Sequence, residues 1–211
     1  MYEKVLLHPT YIPSIVSAAA MAQSKTLVFE VNDNFNKQSL RNRAYINTPN
    51  GSLSITIPVK HNHGKGHKKT ADALIENDFE WQRQHWKSIQ MAYRSSPFFE
   101  FYEDDFKVFY EGKFTNLLAY NLEYNRLLLD LIKISAPIKE TSSYEKKTEI
   151  VDLRTLVDAK KDYTLKLPHY IQVFGEKQNI DPKIAVIDLL FSEGPNTLGY
   201  LRSVDLSTLA A

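Results

Sequence analysis

Two side chains near the start of the chain, His8 and Tyr11, are suited to acid–base or hydrogen-bonding chemistry. They lie in the segment His8-Pro9-Thr10-Tyr11-Ile12-Pro13, directly after the apolar run Lys4-Val5-Leu6-Leu7. Each proline fixes its own φ at about −65°, lacks a backbone N–H and pushes the preceding residue toward extended geometry. We therefore predict a buried strand that ends in a rigid loop. Because open α/β sheets usually bind ligands at the carboxyl ends of their strands, this loop is a candidate site.

Two roles are open to His8. As a catalytic residue it would act as a general base or hold a phosphate oxygen. As a structural residue its imidazole would lock the loop by hydrogen bonding to a backbone carbonyl. The rigid, proline-flanked setting is what a preorganised site needs, so we take His8 as a catalytic candidate.

A basic cluster, Arg41-Asn42-Arg43, follows Lys37 and Gln38. Arginine forks hold phosphate or carboxylate through paired hydrogen bonds, and Asn42 can add an amide donor. In an extended segment Arg41 and Arg43 share one face of the sheet and Asn42 takes the other. The cluster is therefore a candidate anion-binding site. The alternative is an edge strand whose charges are solvated.

A further candidate is His85, which lies four residues from both Trp81 and Ile89. That spacing predicts one face of a helix, and Tyr93, two turns further on, can reach the same cleft. His85 is either a proton-transfer residue or a packed residue of the core or cleft wall. We take His85 as the second catalytic candidate and Tyr93 as a substrate-binding one.

Metal binding is not indicated. His61, His63 and His67 lie in the polar segment 61–70, a predicted mobile loop, and their close pair is two residues apart with no fixed third ligand. The acidic run Glu103-Asp104-Asp105 is explained more simply as a solvated helix start. The chain has no phosphate-binding glycine loop, serine elbow or paired zinc-histidine motif. We predict no metal site, and any cofactor stays unknown.

The elements that must position these residues begin with a βαβ unit. The run 4–7 is followed by an alanine-rich helix over 14–21, which Ser14 caps, and by a β-branched and aromatic strand over 26–31. Parallel pairing is the default for such a unit. We therefore expect an α/β fold.

A hairpin follows the βαβ unit. The alternating segments 44–47 and 53–57 flank Thr48-Pro49-Asn50-Gly51, where proline and glycine favour a type I turn. The prediction is a small mixed sheet within an α/β core over about residues 1–60.

The remainder, from about residue 75 to 211, is predicted to be mainly helical and to pack on the sheet. In chain order we predict a helix over 81–95, an aromatic segment over 97–102 that plugs the core, a helix over about 115–134 with a buried stripe of Leu118, Asn121, Leu122, Asn125, Leu129 and Ile132, a polar connection over 136–147, a helix that starts at Asp181-Pro182 and ends at Gly194, and a last helix capped by Asn196.

Composition limits the classes of protein. At 211 residues and 43% hydrophobic content the chain can bury a full core, and 12 tyrosines and 11 phenylalanines suit a core or cleft of aromatic rings. A net charge of +1 gives no field that attracts nucleic acid or an anionic membrane. The chain has no cysteine, no evident signal peptide and no apolar run of about 18 residues. We expect one cytoplasmic domain, 1–211.

The candidate segments together resemble the WbqC-like family of bacterial proteins. The motifs that carry the resemblance span most of the chain: Pro9-x-Tyr11-x-Pro13, Val28-Phe29-Glu30, Asn34-Phe35-x-Lys37-Gln38-Ser39-x-Arg41-Asn42-Arg43, Ile57-Pro58-Val59, Trp81-Gln82-Arg83-x-His85-Trp86, Tyr93-x-Ser95-Ser96-Pro97-Phe98-Phe99-Glu100-x-Tyr102-Glu103-Asp104, Tyr170-x-Gln172-Val173-Phe174 and Asp188-Leu189-Leu190-Phe191-x-Glu193-Gly194-Pro195-Asn196. The resemblance implies a role in the biosynthesis of sugars or cell-surface glycans such as O-antigen.

The resemblance and the residues lead to one working hypothesis, a transferase-type enzyme with an anionic donor, either a nucleotide-linked sugar or an acyl compound, bound in a cleft at the end of the first strand. It requires the N-terminal turn and the two arginines to border one solvent-filled hollow. The alternatives are a non-catalytic binding or scaffold protein of a glycan-assembly complex and a metal-dependent hydrolase that uses the loop histidines. In such an enzyme, Arg41 and Arg43 would bind the anion, and Tyr11 and Asn42 would orient the substrate. His8 or His85 would transfer the proton.

Overall fold

The computed structural model describes residues 1–61, 68–174 and 180–209. Within those ranges the chain forms, in order, β1 (Val5–Leu7), α1 (Ile15–Ala22), β2 (Leu27–Phe29), β3 (Arg43–Thr48), β4 (Gly51–Thr56), α2 (Trp81–Tyr93), α3 (Phe99–Glu111), α4 (Leu117–Ile132), β5 (Ile138–Glu140), β6 (Val151–Asp152), α5 (Val186–Glu193) and α6 (Thr197–Ser203).

A parallel sheet with strand order β5-β2-β1-β6 forms the centre of the α/β core. Val5 of β1 lies opposite Leu27 of β2 on one side and Val151 of β6 on the other. The predicted βαβ unit is confirmed, including its helix cap, because the Ser14 hydroxyl accepts a hydrogen bond from the backbone N–H of Ser17 at 3.3 Å. Helix α1 is buried along its whole length, which its small alanine side chains allow.

The predicted hairpin is confirmed as the antiparallel pair β3–β4, closed where Thr48 lies opposite Gly51. Gly51 has φ of +104°, a region in which other residues are strained. The α/β class with strands of both orientations is therefore confirmed. The hairpin forms a two-stranded sheet of its own, and the outer edge of β3 contacts the chain near α5, where the Ala185 N–H donates to the Tyr45 carbonyl at 2.8 Å.

The second half is mainly helical, as predicted, and the buried faces of α2 and α4 match the predicted stripes. The aromatic segment 97–102 contributes Phe99 and Tyr102 to the core, as predicted, but most of it belongs to α3, a helix that was not predicted. Phe99, Tyr102, Phe106 and Phe109 recur at helical spacing and are buried, whereas Phe101 is 75% exposed. The acidic run 103–105 consequently lies in the middle of a helix, not at its start.

Two other sequence predictions are wrong. The connection over 136–147 contains β5, which forms because its backbone pairs with β2. The helix expected at Asp181 begins only at Val186, because the Asp181 carboxylate accepts from the Lys183 N–H at 2.8 Å and closes a turn before it. The end of that helix is as predicted, at Gly194 with φ of +51°, and Asn196 precedes α6 without a side-chain capping bond. Within the described ranges no helix is long and apolar enough to cross a bilayer.

The loop over 8–13 is held in place by two asparagines of α4. The Asn121 amide donates to the carbonyls of Pro9, at 3.2 Å, and Arg41, at 2.8 Å, and the Asn125 amide donates to the Thr10 carbonyl at 2.7 Å. Both asparagines are at most 1% exposed. Helix α4 therefore fixes the loop that carries His8.

We predict that Asn121→Leu lowers the free energy of unfolding by about 1–3 kcal/mol, because two buried carbonyls lose their donor. Urea unfolding of both proteins measures the difference. Glu123→Leu, on the exposed side of the same helix, is the control and should change the stability by less than about 0.5 kcal/mol. Equal stability of Asn121→Leu and the unmodified protein would contradict the clamping role of α4.

Candidate functional site

A cleft of about 530 Å³ lies at the carboxyl ends of the parallel strands. We call it the β1–β6 cleft. The chain runs from β1 to β2 on one side, while β6 pairs with the other side of β1, so the strand order reverses at this point. Ligands bind at such topological switch points in open α/β sheets. Its volume is within the range of about 300–1,000 Å³ typical of small-molecule sites. It is lined by His8, Asn32, Asp33, Asn34, Tyr144, Asp152, Arg154 and Thr155.

One wall of the cleft contains a buried ion pair between Arg41 and Asp33. Arg41 Nη2 also lies 3.0 Å from His8 Nε2, and the Thr70 hydroxyl donates to the second oxygen of Asp33 at 2.6 Å. Arg41 and Asp33 have side chains only 4% and 9% exposed. The guanidinium of Arg41 is therefore engaged with protein groups behind the cleft and does not line it.

His8 is a neutral side chain in this setting. Burial first, and then the positive charge of Arg41, lower the pKa of His8 from 6.5 to about 3, while a hydrogen bond with the Glu30 backbone partly opposes them. A neutral imidazole offers one donor and one acceptor, and a pKa this low makes it a weak base near pH 7. The contact with a backbone carbonyl corresponds to the structural role considered for His8, and its place in the lining leaves it within reach of a ligand.

The opposite wall is organised by Arg154, which follows β6. Its guanidinium donates to both oxygens of Asp152, at 2.9 and 2.6 Å, and to the Glu145 carbonyl at 2.7 Å, and it lies 3.5 Å from a carboxylate oxygen of Glu30. The Asp152 pKa is lowered because hydrogen bonds and charge from Arg154 outweigh burial. Arg154 therefore joins β6, the end of β2 and the segment that carries Tyr144.

The formal charges around the cleft do not favour an anion. Three carboxylates, Glu30, Asp33 and Asp152, are paired with only two guanidinium groups, Arg41 and Arg154. With His8 neutral, one negative charge is in excess. Groups of three or more metal-ligating side chains are absent from the described part of the chain, and His63 and His67 lie outside it.

Tyr11 and His85 meet each other but lie outside the cleft. The Tyr11 hydroxyl is 3.0 Å from His85 Nδ1 and donates to the Tyr110 hydroxyl at 3.1 Å, within a cluster of buried rings. Tyr11 is fully buried, and burial is also what lowers the pKa of His85 to about 4. The hypothesis of one hollow bordered by the N-terminal turn and both arginines is therefore wrong. Aromatic packing draws Tyr11 into the core.

The other three predicted residues lie in different places. Asn42 is buried and donates to the Ile57 carbonyl at 2.9 Å, while Arg43 opens β3 and is partly buried. Tyr93 donates to Asp188 at 3.1 Å. That carboxylate is 2% exposed and also accepts hydrogen bonds from Asn47, Tyr170 and Gln172. Tyr93 thus belongs to a buried network that joins α2, the hairpin and α5.

Some residues of the cleft were missed in the sequence analysis, and the sequence patterns around them differ in how clearly they indicate a site. Asn32, Asp33 and Asn34 directly follow the second predicted strand, so the argument applied to His8 could have found them. Asp152 and Arg154 adjoin a strand of two residues, which is too short for any periodic pattern. Tyr144 reaches the cleft only because Arg154 holds its segment there.

Comparisons with known proteins identify the family. Residues 8–166 match the model of the WbqC-like protein family, and the chain belongs to that family. Of the motifs that carried the resemblance, those over 170–174 and 188–196 lie beyond the matched range. An uncharacterized protein, Rv1507c of Mycobacterium tuberculosis, is 25% identical over 198 residues, which cover 80% of this chain and 84% of the relative. No solved structure matches the chain.

We predict that stability falls as the pH is lowered from about 7 to 5. Both buried histidines have folded-state pKa values below 6.5, so the unfolded chain binds more protons in this range and acid favours it. Each contributes on the order of 1 kcal/mol per pH unit below about pH 6.5. Urea unfolding at several pH values measures the slope. His8→Gln and His85→Gln should each reduce it and the exposed His169→Gln should not; an unchanged slope in the first two would contradict the prediction.

We predict that substitutions at Arg41 and Asp33 have strongly coupled effects on the free energy of unfolding. Arg41→Met should lower the free energy of unfolding by about 3–5 kcal/mol, because it leaves a carboxylate buried without its cation. Adding Asp33→Asn should recover at least half of that loss, since the charge is then removed while Thr70 keeps an acceptor. The exposed pair Arg83–Glu80 provides the matched cycle, expected to couple by less than about 1 kcal/mol. Additive effects at Arg41 and Asp33 would show that the pair is not coupled.

Proposed function

We propose that this protein is a transferase-type enzyme of bacterial surface polysaccharide biosynthesis, O-antigen-like, whose donor is a nucleotide-linked sugar or acyl compound bound in the β1–β6 cleft. The link to glycans is what the resemblance to the WbqC-like family implies, and residues 8–166 match the model of that family. The observation that carries the proposal is the cleft itself: a concave site of suitable volume at the strand switch point, with His8, which directly follows the first strand, in its wall.

The roles of the candidate residues follow from their positions. His8 is neutral and lies at the wall, with its ring in contact with Arg41 and hydrogen-bonded to the Glu30 backbone, so it would bind the ligand or transfer a proton by exchanging one of these partners. Tyr11 and His85, buried behind the loop, would act by positioning that loop. Arg41 and Asn42 would act in the same way, because their polar groups already bind protein atoms.

The anionic part of a donor would lie toward the rim of the cleft. Arg41 and Arg154 both have carboxylate partners, so neither is free to bind a phosphate. Lys146 and Lys147 are exposed and lie two and three residues after Tyr144, which lines the cleft. We place the diphosphate on the side of these lysines, whose charges would suit it better than the inner wall does.

A non-catalytic binding or scaffold protein of a glycan-assembly complex is the second candidate. One observation favours it: His8, the imidazole in the lining, is a weak base because of its lowered pKa. Both candidates predict binding in the cleft, and only the enzyme predicts turnover.

Thermal unfolding in the presence of nucleotide sugars and acyl donors tests binding, because a ligand of the folded state raises the melting temperature. We expect at least one donor class to do so and Thr155→Trp, which fills the cleft, to abolish the effect. Thr164→Trp, an equally exposed position in another surface cleft, is the control.

A lack of stabilisation by every donor at millimolar concentration would refute the proposal, and so would a shift that Thr155→Trp leaves unchanged. Mass spectrometry of donor and acceptor mixtures then separates the enzyme, which forms a glycosylated or acylated product, from the binding protein, which does not.

A further inference from the structure

The lining of the β1–β6 cleft offers an unusual combination for a site expected to bind an anion. It contains an exposed aromatic ring, two carboxylates, two asparagines, a threonine hydroxyl and the neutral imidazole of His8, whereas its arginine is used by protein partners. The chemistry of these groups specifies the kind of ligand surface that the interior can accept.

Tyr144 is an aromatic ring fixed at the cleft. Its side chain is 52% exposed, and the guanidinium carbon of Arg154 lies 5.2 Å from the ring centroid. Arg154 also donates to the carbonyls of Glu145 and Lys146, at 2.7 and 3.3 Å, and so fixes the backbone beside the ring. An exposed ring held in one position is a platform for the apolar C–H face of a ring-shaped ligand at low entropic cost.

Asp152 is a fixed acceptor in the same cleft. Its two oxygens accept three hydrogen bonds from Arg154, at 3.0, 2.9 and 2.6 Å, while its side chain stays 37% exposed. A carboxylate has about four acceptor positions, so one remains for a ligand hydroxyl. Asn32 uses its amide nitrogen on the Thr141 carbonyl at 2.6 Å and therefore offers its oxygen as a further acceptor.

The charge balance separates the ligand classes. An anionic group inside the cleft would meet Asp33 and Asp152, with one negative charge in excess around the site. A cation would gain little inside the cleft, because Asp33 and Asp152, the carboxylates of the lining, each have a guanidinium partner, and the excess charge lies on Glu30, which is 1% exposed and outside the lining. A neutral ring with several hydroxyl groups satisfies the acceptors, covers the tyrosine and introduces no charge.

We propose that the interior of the β1–β6 cleft binds a neutral, polyhydroxylated ring, with Tyr144 stacked on its face and Asp152 accepting hydrogen bonds from its hydroxyl groups. This inference deepens the proposed function and rests on it in one respect, that the cleft is the ligand site. It places the sugar of a nucleotide-linked donor inside and the diphosphate at the rim, and it predicts selection against sugars that carry a carboxylate.

Isothermal titration calorimetry and ligand-detected NMR test the proposal with four probes: neutral hexose and N-acetylhexosamine nucleotides with different bases, the corresponding uronic acid nucleotides, free methyl glycosides, and the nucleoside diphosphates. We expect the neutral-sugar nucleotides to bind at least tenfold more tightly than the uronic acid forms and the diphosphates. Methyl glycosides should bind weakly and compete with the nucleotides.

Variants assign the binding to the proposed contacts. Tyr144→Ala should weaken binding of the neutral-sugar nucleotide about tenfold and Tyr144→Phe less than about threefold, since the ring is the contact. Asp152→Asn should weaken binding of the sugar forms, because an amide nitrogen replaces one acceptor oxygen, and should not weaken diphosphate binding, because it removes a negative charge from the cleft. The controls are Phe101→Ala, an exposed aromatic residue of α3, and Asp162→Asn, an exposed carboxylate paired with Lys183. Tyr144 is exposed, so its variants should fold normally, and circular dichroism checks this.

The outcomes separate this inference from the proposed function. If nucleotide donors bind but their diphosphates bind equally well and Tyr144→Ala has no effect, the inference is wrong and the function stands. If methyl glycosides bind in a Tyr144-dependent way and no nucleotide donor does, the ligand class is right and the donor proposal is wrong. If no probe binds, this inference is overturned together with the sugar-nucleotide form of the proposed function, and the thermal-unfolding series with acyl donors decides the acyl form.

Discussion

The buried contact of Arg41 with Asp33 and His8 is the interaction on which the arrangement of the site depends. It joins the loop after β1, the loop after β2 and the segment that leads into β3, and through Asp33 it also holds Thr70, beyond the hairpin. A buried charge is costly unless its partner is in place, so these segments must adopt their positions together. The pair therefore fixes one wall of the β1–β6 cleft without the help of a ligand.

Arg154 has the corresponding role on the other wall. It binds Asp152 and contacts Glu30, so that the ends of β6 and β2 and the Tyr144 segment form one unit. Arg41, which in the sequence suggests phosphate recognition, and Arg154, which the sequence did not single out, are in this fold the groups that hold the cleft together. What the cleft presents to a ligand is consequently an aromatic ring and a set of acceptors, which match the proposed sugar better than they match a phosphate.

Much of the framework could be predicted from local pattern. The βαβ unit, the hairpin at Gly51 and the faces of α2 and α4 follow from strand composition, turn chemistry and helical spacing, which neighbouring residues determine. Helix α3 was within reach of the same method, because its buried aromatic residues recur at helical spacing. Strands β5 and β6 were not, since two or three residues carry no period and become strands only by pairing with β2 and β1.

The candidate site shows the same division. The sequence by itself determined that a rigid loop carrying His8 follows the first strand, that an arginine cluster exists and that the chain belongs among WbqC-like proteins. Only the tertiary structure decided that Arg41 turns to Asp33, that Tyr11 enters the aromatic core, and that Asp152 and Tyr144 reach the cleft. The physical reason is that parallel strand pairing and the contact of Arg154 with Glu30 join residues more than a hundred positions apart. Even Arg41 and Asp33, eight positions apart, meet only when both of their loops have folded, and local sequence contains no information about which partner each side chain will meet.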